Sequence, residues 1–141
     1  MDIASLIGPL EAQFLIALGL SIILGYLIGA ERELRDKDAG ISTHVLVISG
    51  AMLFTFISLA IEGTEARITA QIVTGIGFLG AGLILKDGTN VRNLTTAASL
   101  WLAAGLGVAI GYGFYVIAVV AALIGALVPR IPNIHKKRVR G

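Results

Sequence analysis

Glu31, Arg32 and Glu33 are consecutive, so two carboxylates flank one guanidinium at the end of a long apolar run. Such a group can hold a cation, pair with a charged partner or relay protons. The alternative is an interfacial anchor whose side chains snorkel to the headgroups. His44 opens the next apolar run; it can switch charge near neutral pH, or simply be solvated or bonded to a helix cap. Asp87, Arg92, Thr95 and Thr96 flank a later loop, where Thr96 shares a face with small residues and is expected to donate its hydroxyl to a neighbouring helix. Arg67 and Gln71 are one helical turn apart, so their heads can reach a common partner. Polar groups at membrane depth are costly, which makes each of these a functional candidate. The chain has no cysteine, no HExxH, no Gly-x-Ser-x-Gly and no paired intramembrane aspartates. No enzymatic role and no cofactor are expected, and the sequence leaves a metal open.

The elements that must position these residues follow from composition. Hydrophobic residues make up 56% of the chain and charged residues 14%, and the mean hydropathy is +0.89. A soluble domain is nearer a quarter charged, so membrane lipid is the expected surrounding. Crossing ~30 Å of hydrocarbon takes about 20 helical residues. Five runs come near that length, at 12–30, 43–61, 68–85, 94–110 and 112–128, and a basic tail covers 129–141. Gly111-Tyr112-Gly113 is expected to break the last two runs into a hairpin. With five spans, all of the eleven Lys/Arg except Arg67 fall on one face. The excess of positive charge on cytoplasmic loops then places the N-terminus outside and the C-terminus in the cytoplasm. The expected architecture is an all-α integral membrane bundle, a single transmembrane domain. The basic tail, with Lys136, Lys137, Arg138 and Arg140, suits anionic lipid, and no nucleic-acid partner is expected.

Lipid gives helices no hydrophobic reason to associate, so small residues and polar contacts must hold the bundle. The first span carries Ala17, Ser21, Gly25 and Gly29 at intervals of four. In the third, Ala70, Thr74, Gly77 and Ala81 form a small strip beside Gln71, Gly75 and Gly82, while Ile68, Ile72, Ile76, Leu79 and Leu83 lie opposite. The third span is therefore expected to be central, with its neighbours on the small side. Thr96, Ala103 and Gly107 of the fourth offer a matching strip. Gly75, Gly77, Gly80 and Gly82 admit two readings: tight packing, or an unwound helix whose freed backbone lines a site. Thr43 and Asn93 are expected as N-caps, and Trp101, too deep for an interfacial belt, as a packing residue.

The motifs Gly25-Tyr-Leu-Ile-Gly29-Ala-Glu31-Arg32-Glu33 and Ala39-Gly40-Ile-Ser-Thr43-His44 resemble the start of the MgtC/SapB family of bacterial membrane proteins. Arg67-Ile-Thr-Ala-Gln71 running into Gly75-Ile-Gly77-Phe78-Leu79-Gly80-Ala81-Gly82 resembles its central signature, and Leu94-Thr95-Thr96-Ala97-Ala98-Ser99-Leu-Trp101 its third. The resemblance covers most of the membrane part. It implies a multi-pass protein of the bacterial cytoplasmic (inner) membrane, linked to magnesium homeostasis, acid adaptation and virulence. It also implies action by restraining another membrane machine, a membrane ATPase or the F-type ATP synthase, rather than by carrying magnesium. The longer relatives carry a soluble C-terminal domain, which a chain ending at Gly141 is expected to lack, so roles seated there do not transfer. Two functions remain in play: a regulator docked in the membrane, or a small oligomeric ion or proton transporter. A homo-oligomer is expected for either.

Overall fold

The computed structural model describes residues 8–88 and 90–131. The basic residues expected to contact lipid from position 136 onward lie outside these. Along the chain come α1 (Pro9–Glu33), α2 (Ile41–Leu59), α3 (Glu65–Leu83), β1 (Leu85–Asp87), β2 (Asn90–Arg92), α4 (Leu94–Gly111) and α5 (Tyr115–Leu127), closed by a 3-10 turn at Val128–Arg130. Among the described residues four helices are long and apolar enough to cross a membrane, and α5 is a shorter apolar one. The architecture is that of a helical membrane protein.

Several boundaries differ from the sequence expectation. α1 starts at Pro9, whose missing N–H costs nothing in a first turn, and it runs through Glu33. Glu31 and Arg32 therefore lie within the helix rather than beyond it. α2 starts at Ile41, so Thr43 is an interior residue and not its cap. The loop between α3 and α4 is not irregular. It forms a two-stranded antiparallel ribbon pairing Leu85 with Arg92 and Asp87 with Asn90, a small departure from an all-α chain. α4 and α5 separate at the expected glycine break. Phe114 N–H bonds Ala109 O at 2.8 Å and Gly113 N–H bonds Ile110 O at 2.9 Å, the paired bonds of a Schellman ending. That ending needs a left-handed residue, and Gly113 supplies it with φ 81°. At 13 residues α5 is about 20 Å long, and the three residues of the 3-10 turn bring it to about 26 Å, still short of ~30 Å of hydrocarbon.

α2 lies between α1 and α4. The first-span stripe does what its spacing suggests: Ala17, Ser21, Gly25 and Gly29 are all buried. A Cβ on Gly25 would stand 2.6 Å from the Val45 Cα, and one on Gly29 would strike the Ile41 backbone, so α1 and α2 touch nearly backbone to backbone. Across the bundle, Gly107 and Gly111 of α4 meet the α2 backbone at Ile48 and Met52 and the side chains of Ala51 and Thr55. Ile28, Ile48, Met52, Leu106 and Ile110 fill the space between, covered by Ala118 and Ala122 of α5. Gly107 thus serves the α2–α4 seam and not the expected match with α3.

α3 is the clearest correction. It is peripheral, not central; only Ile76 and Gly80 are buried along it. Its isoleucine side faces α4, and the strip Ala70, Thr74, Gly77 and Ala81 is exposed. Added Cβ atoms at Gly75, Gly77 and Gly82 would meet nothing within 4 Å, and one at Gly80 only an ordinary contact with Ala97. Lipid does not penalise an outward-facing apolar arc and water is not there to drive the larger side chains in, so residue size alone did not fix the inward face. The helix is also continuous from Glu65 to Leu83, which removes the unwound-helix reading. Trp101, expected to pack, is 59% exposed on the lipid-facing side of α4.

Candidate functional site

The last turn of α1, the first turns of α2 and α4 and the turn that follows α5 converge at one end of the bundle. Arg32 is 1% exposed and Glu31 4%, a charge pair enclosed by packing. Arg32 Nη2 donates to Thr96 Oγ1 at 3.2 Å, and its Nη1 lies 3.9 Å from Glu31 Oε2. Glu31 Oε1 accepts from Arg35 Nη1 at 3.4 Å, and the same Arg35 nitrogen reaches the Pro129 carbonyl after α5. Glu31 Oε2 and Arg32 Nε have no hydrogen-bond partner among the described residues. A buried pair with loose geometry and orphan atoms is held by its surroundings more than it stabilises them.

Glu33 has a different task. It is exposed, and its Oε1 accepts the Ile41 N–H at 2.9 Å, capping α2 from across the turn. The capping role expected of Thr43 thus belongs to a carboxylate of the preceding helix. Asn93 does hold the N-cap position of α4, as expected, but its side chain makes no capping bond. It adopts φ 64°, and its Nδ2 donates to Asp38 Oδ2 and, at 3.2 Å, to the Leu83 carbonyl, fastening the ribbon to the turn after α1.

His44 is buried beside this pair. Its Nδ1 is 2.8 Å from the Gly40 carbonyl, which can only accept, so Nδ1 carries a hydrogen. Its Nε2 is 3.2 Å from Ser99 Oγ, and Ser99 Oγ lies 2.8 Å from the Thr96 carbonyl. Ser99 has one hydroxyl hydrogen for these two acceptors. With a neutral ring it can donate to Nε2; with a charged ring Nε2–H donates to Ser99, which then donates to Thr96. The Gly40–His44–Ser99–Thr96 chain thus accommodates either protonation state without moving a helix.

The structure brings together Glu31, Arg32, His44 and Thr96 of the expected cluster, with Glu33 at its edge. It does not bring in Asp87, Arg92 or Thr95, which are exposed on the ribbon and the outer side of α4. Ser99 and Arg35 also bond to this cluster and were not among the expected residues. Ser99 had a signal, since it falls one turn after Thr96. Arg67 and Gln71, at the opposite end, both line the mouth of a groove between α2 and α3, where their side chains are exposed. Nearby, Thr69 Oγ1 and Tyr112 Oη are 2.8 Å apart and tie α3 to the end of α4. No group of three or more His, Cys, Asp or Glu able to hold a metal ion occurs among the described residues.

A polytopic helical membrane protein with a buried ionic cluster at one end is the class that this geometry defines. Comparison with known proteins makes it specific: residues 18–136 match the model of the MgtC family, and the chain belongs to that family. It is 47% identical over 112 residues to Protein MgtC of Salmonella typhimurium, covering 79% of this chain and 48% of that protein. It is 49% identical over 105 residues to Protein MgtC of Brucella abortus, covering 73% of this chain and 44% of that one. The chain spans about half the length of the curated relatives it matches. No solved structure matches it.

Proposed function

We propose that this chain is a non-enzymatic regulator in the bacterial inner membrane that docks on a larger membrane pump or ATP synthase. In this reading the chain crosses five times, with the N-terminus outside and the C-terminus in the cytoplasm. Its setting is magnesium limitation or acid stress, and a link to virulence comes from the same family resemblance. The observation that carries the reading is the outer face of α3, where Ala66, Ala70, Thr74, Gly77 and Ala81 are exposed in one strip. Small residues allow two helix backbones to approach closely within lipid, and none of the described residues packs over this strip. The buried cluster supports the reading in another way: contacts among Arg32, Glu31, His44, Thr96 and Ser99 join α1, α2 and α4, and α3 packs on α4.

The chain has no cysteine, so single cysteines at Ala70 or Gly77 give clean cross-linking sites. In native membranes they should capture one defined larger membrane protein. Recovery of the chain only with itself would leave a homo-oligomer and remove the regulator. The second reading, a small oligomeric ion or proton transporter, is favoured by the buried titratable groups Glu31 and His44. Liposomes holding the purified protein and showing no flux under proton or cation gradients would dispose of it.

A further inference from the structure

Between α2 and α3 the bundle opens into a groove of about 670 Å³. Leu46, Phe54 and Leu79 are among its apolar walls, and Gly50, Gly75 and Ala104 keep it open. A Cβ at Gly50 or Gly75 would meet nothing within 4 Å among the described residues, so both border the open groove. Only one end is polar. There Arg67 and Gln71 stand one turn apart on α3. Arg67 enters no ion pair among the described residues; the pairs found there all involve Glu31. Glu65, two residues before Arg67, points about 200° away around the helix, and Glu62 lies in the preceding loop. Neither neutralises the guanidinium.

We propose that this groove is a binding site for one anionic phospholipid, with its acyl chains between α2 and α3 and its phosphate at Arg67 and Gln71. The length of the groove favours a lipid over a helix. From Arg67 to Leu79 the lining of α3 runs about 18 Å at 1.5 Å per residue. That is near the depth of a single leaflet, about half of a ~30 Å hydrocarbon core, whereas a crossing helix would use the whole of it. Charge agrees: an apolar slot with a lone cation at its interfacial mouth complements an apolar tail bearing an anionic head. Gln71, one turn deeper, can donate its amide to the phosphate or to an ester carbonyl. The site is separate from the outer strip of α3 that docking would use, since Gly75 and Gly77 lie about 160° apart around the helix. Loss of lipid binding would therefore leave the regulator reading standing, and the reverse.

The full chain, purified and delipidated, is titrated with phosphatidylglycerol or phosphatidylcholine of identical acyl chains and examined by native mass spectrometry. Phosphatidylglycerol should be retained about fivefold better, the share expected of one cation near an anionic headgroup. Arg67→Gln should abolish that preference without abolishing retention. Gly50→Leu and Gly75→Leu, from opposite walls, should each block retention of both lipids, while Gly77→Leu should not. Monodisperse elution shows that each variant has folded, and agreement between the two wall variants guards against misfolding of either. Equal retention of the two lipids by the wild type, a preference surviving Arg67→Gln, or retention persisting in both wall variants would each overturn the proposal. So would cross-linking of cysteines at Leu46 and Leu79 to another protein chain in native membranes.

Discussion

Arg32 and Thr96 are 64 positions apart in the chain, and the guanidinium of one donates to the hydroxyl of the other at 3.2 Å in an enclosed site. This bond joins the end of α1 to the start of α4 and gives Arg32 its only close acceptor among the described residues. Thr96→Val keeps the shape and removes that acceptor. It should cost about 1–3 kcal/mol, the penalty for leaving a buried donor unmade, whereas Thr96→Ser should be nearly silent. Thermal loss of the monodisperse species in detergent measures both.

Glu31 and Arg32 make a second, less intuitive prediction. Glu31→Gln leaves an uncompensated buried guanidinium and should destabilise by roughly 3–5 kcal/mol. The double variant Glu31→Gln with Arg32→Met removes both charges and should recover much of the loss. Matching losses in the single and double variants would mean that the pair is held by something other than charge.

Close approach and open space should separate glycine substitutions cleanly. Gly29→Leu would drive a side chain into the Ile41 backbone, and Gly107→Leu into α2, so neither should yield a monodisperse protein. Gly77→Leu should fold normally, because that position faces outward. Size-exclusion profiles of the three variants test this, and its sense is the opposite of what the small-residue pattern of α3 implies when read from sequence alone.

That reversal shows where sequence was sufficient. Helix type and approximate span came from hydropathy, because lipid imposes a length that composition must meet. The first-span stripe was legible because its four-residue spacing matched a partner backbone in α2. α3 was not, since a small face can serve either a neighbour within the bundle or a partner outside it, and spacing is the same for both. Glu31, Arg32, His44 and Thr96 could be named as polar residues at membrane depth, yet which ones meet depends on crossing geometry. Asp87 and Arg92 were drawn off by the β1–β2 ribbon, whose three-residue strands left no clear pattern. Ser99 went unnoticed because serine in a transmembrane helix is ordinary until a histidine faces it.

Ser99 is also the sharpest probe of the histidine. Ser99→Ala removes the hydroxyl that lies 3.2 Å from His44 Nε2 and strands a ring nitrogen in a buried site. A loss of about 1–3 kcal/mol is expected. His44→Gln can keep the bond to Gly40 O through its amide and should be milder than His44→Ala, which also opens a cavity between α2 and α4.

Gly113 tests the hairpin. It holds φ 81° between α4 and α5, where an L side chain costs about 1–2 kcal/mol. Gly113→Ala should therefore lower the melting temperature of the purified chain. Gly105→Ala lies within α4, where an added Cβ meets nothing within 4 Å, and alanine is the better helix former. It should be neutral or slightly stabilising. If the two variants behaved alike, α4 and α5 would not be parted by a left-handed glycine, and the paired Gly113 and Phe114 bonds at the end of α4 would have to be abandoned with it.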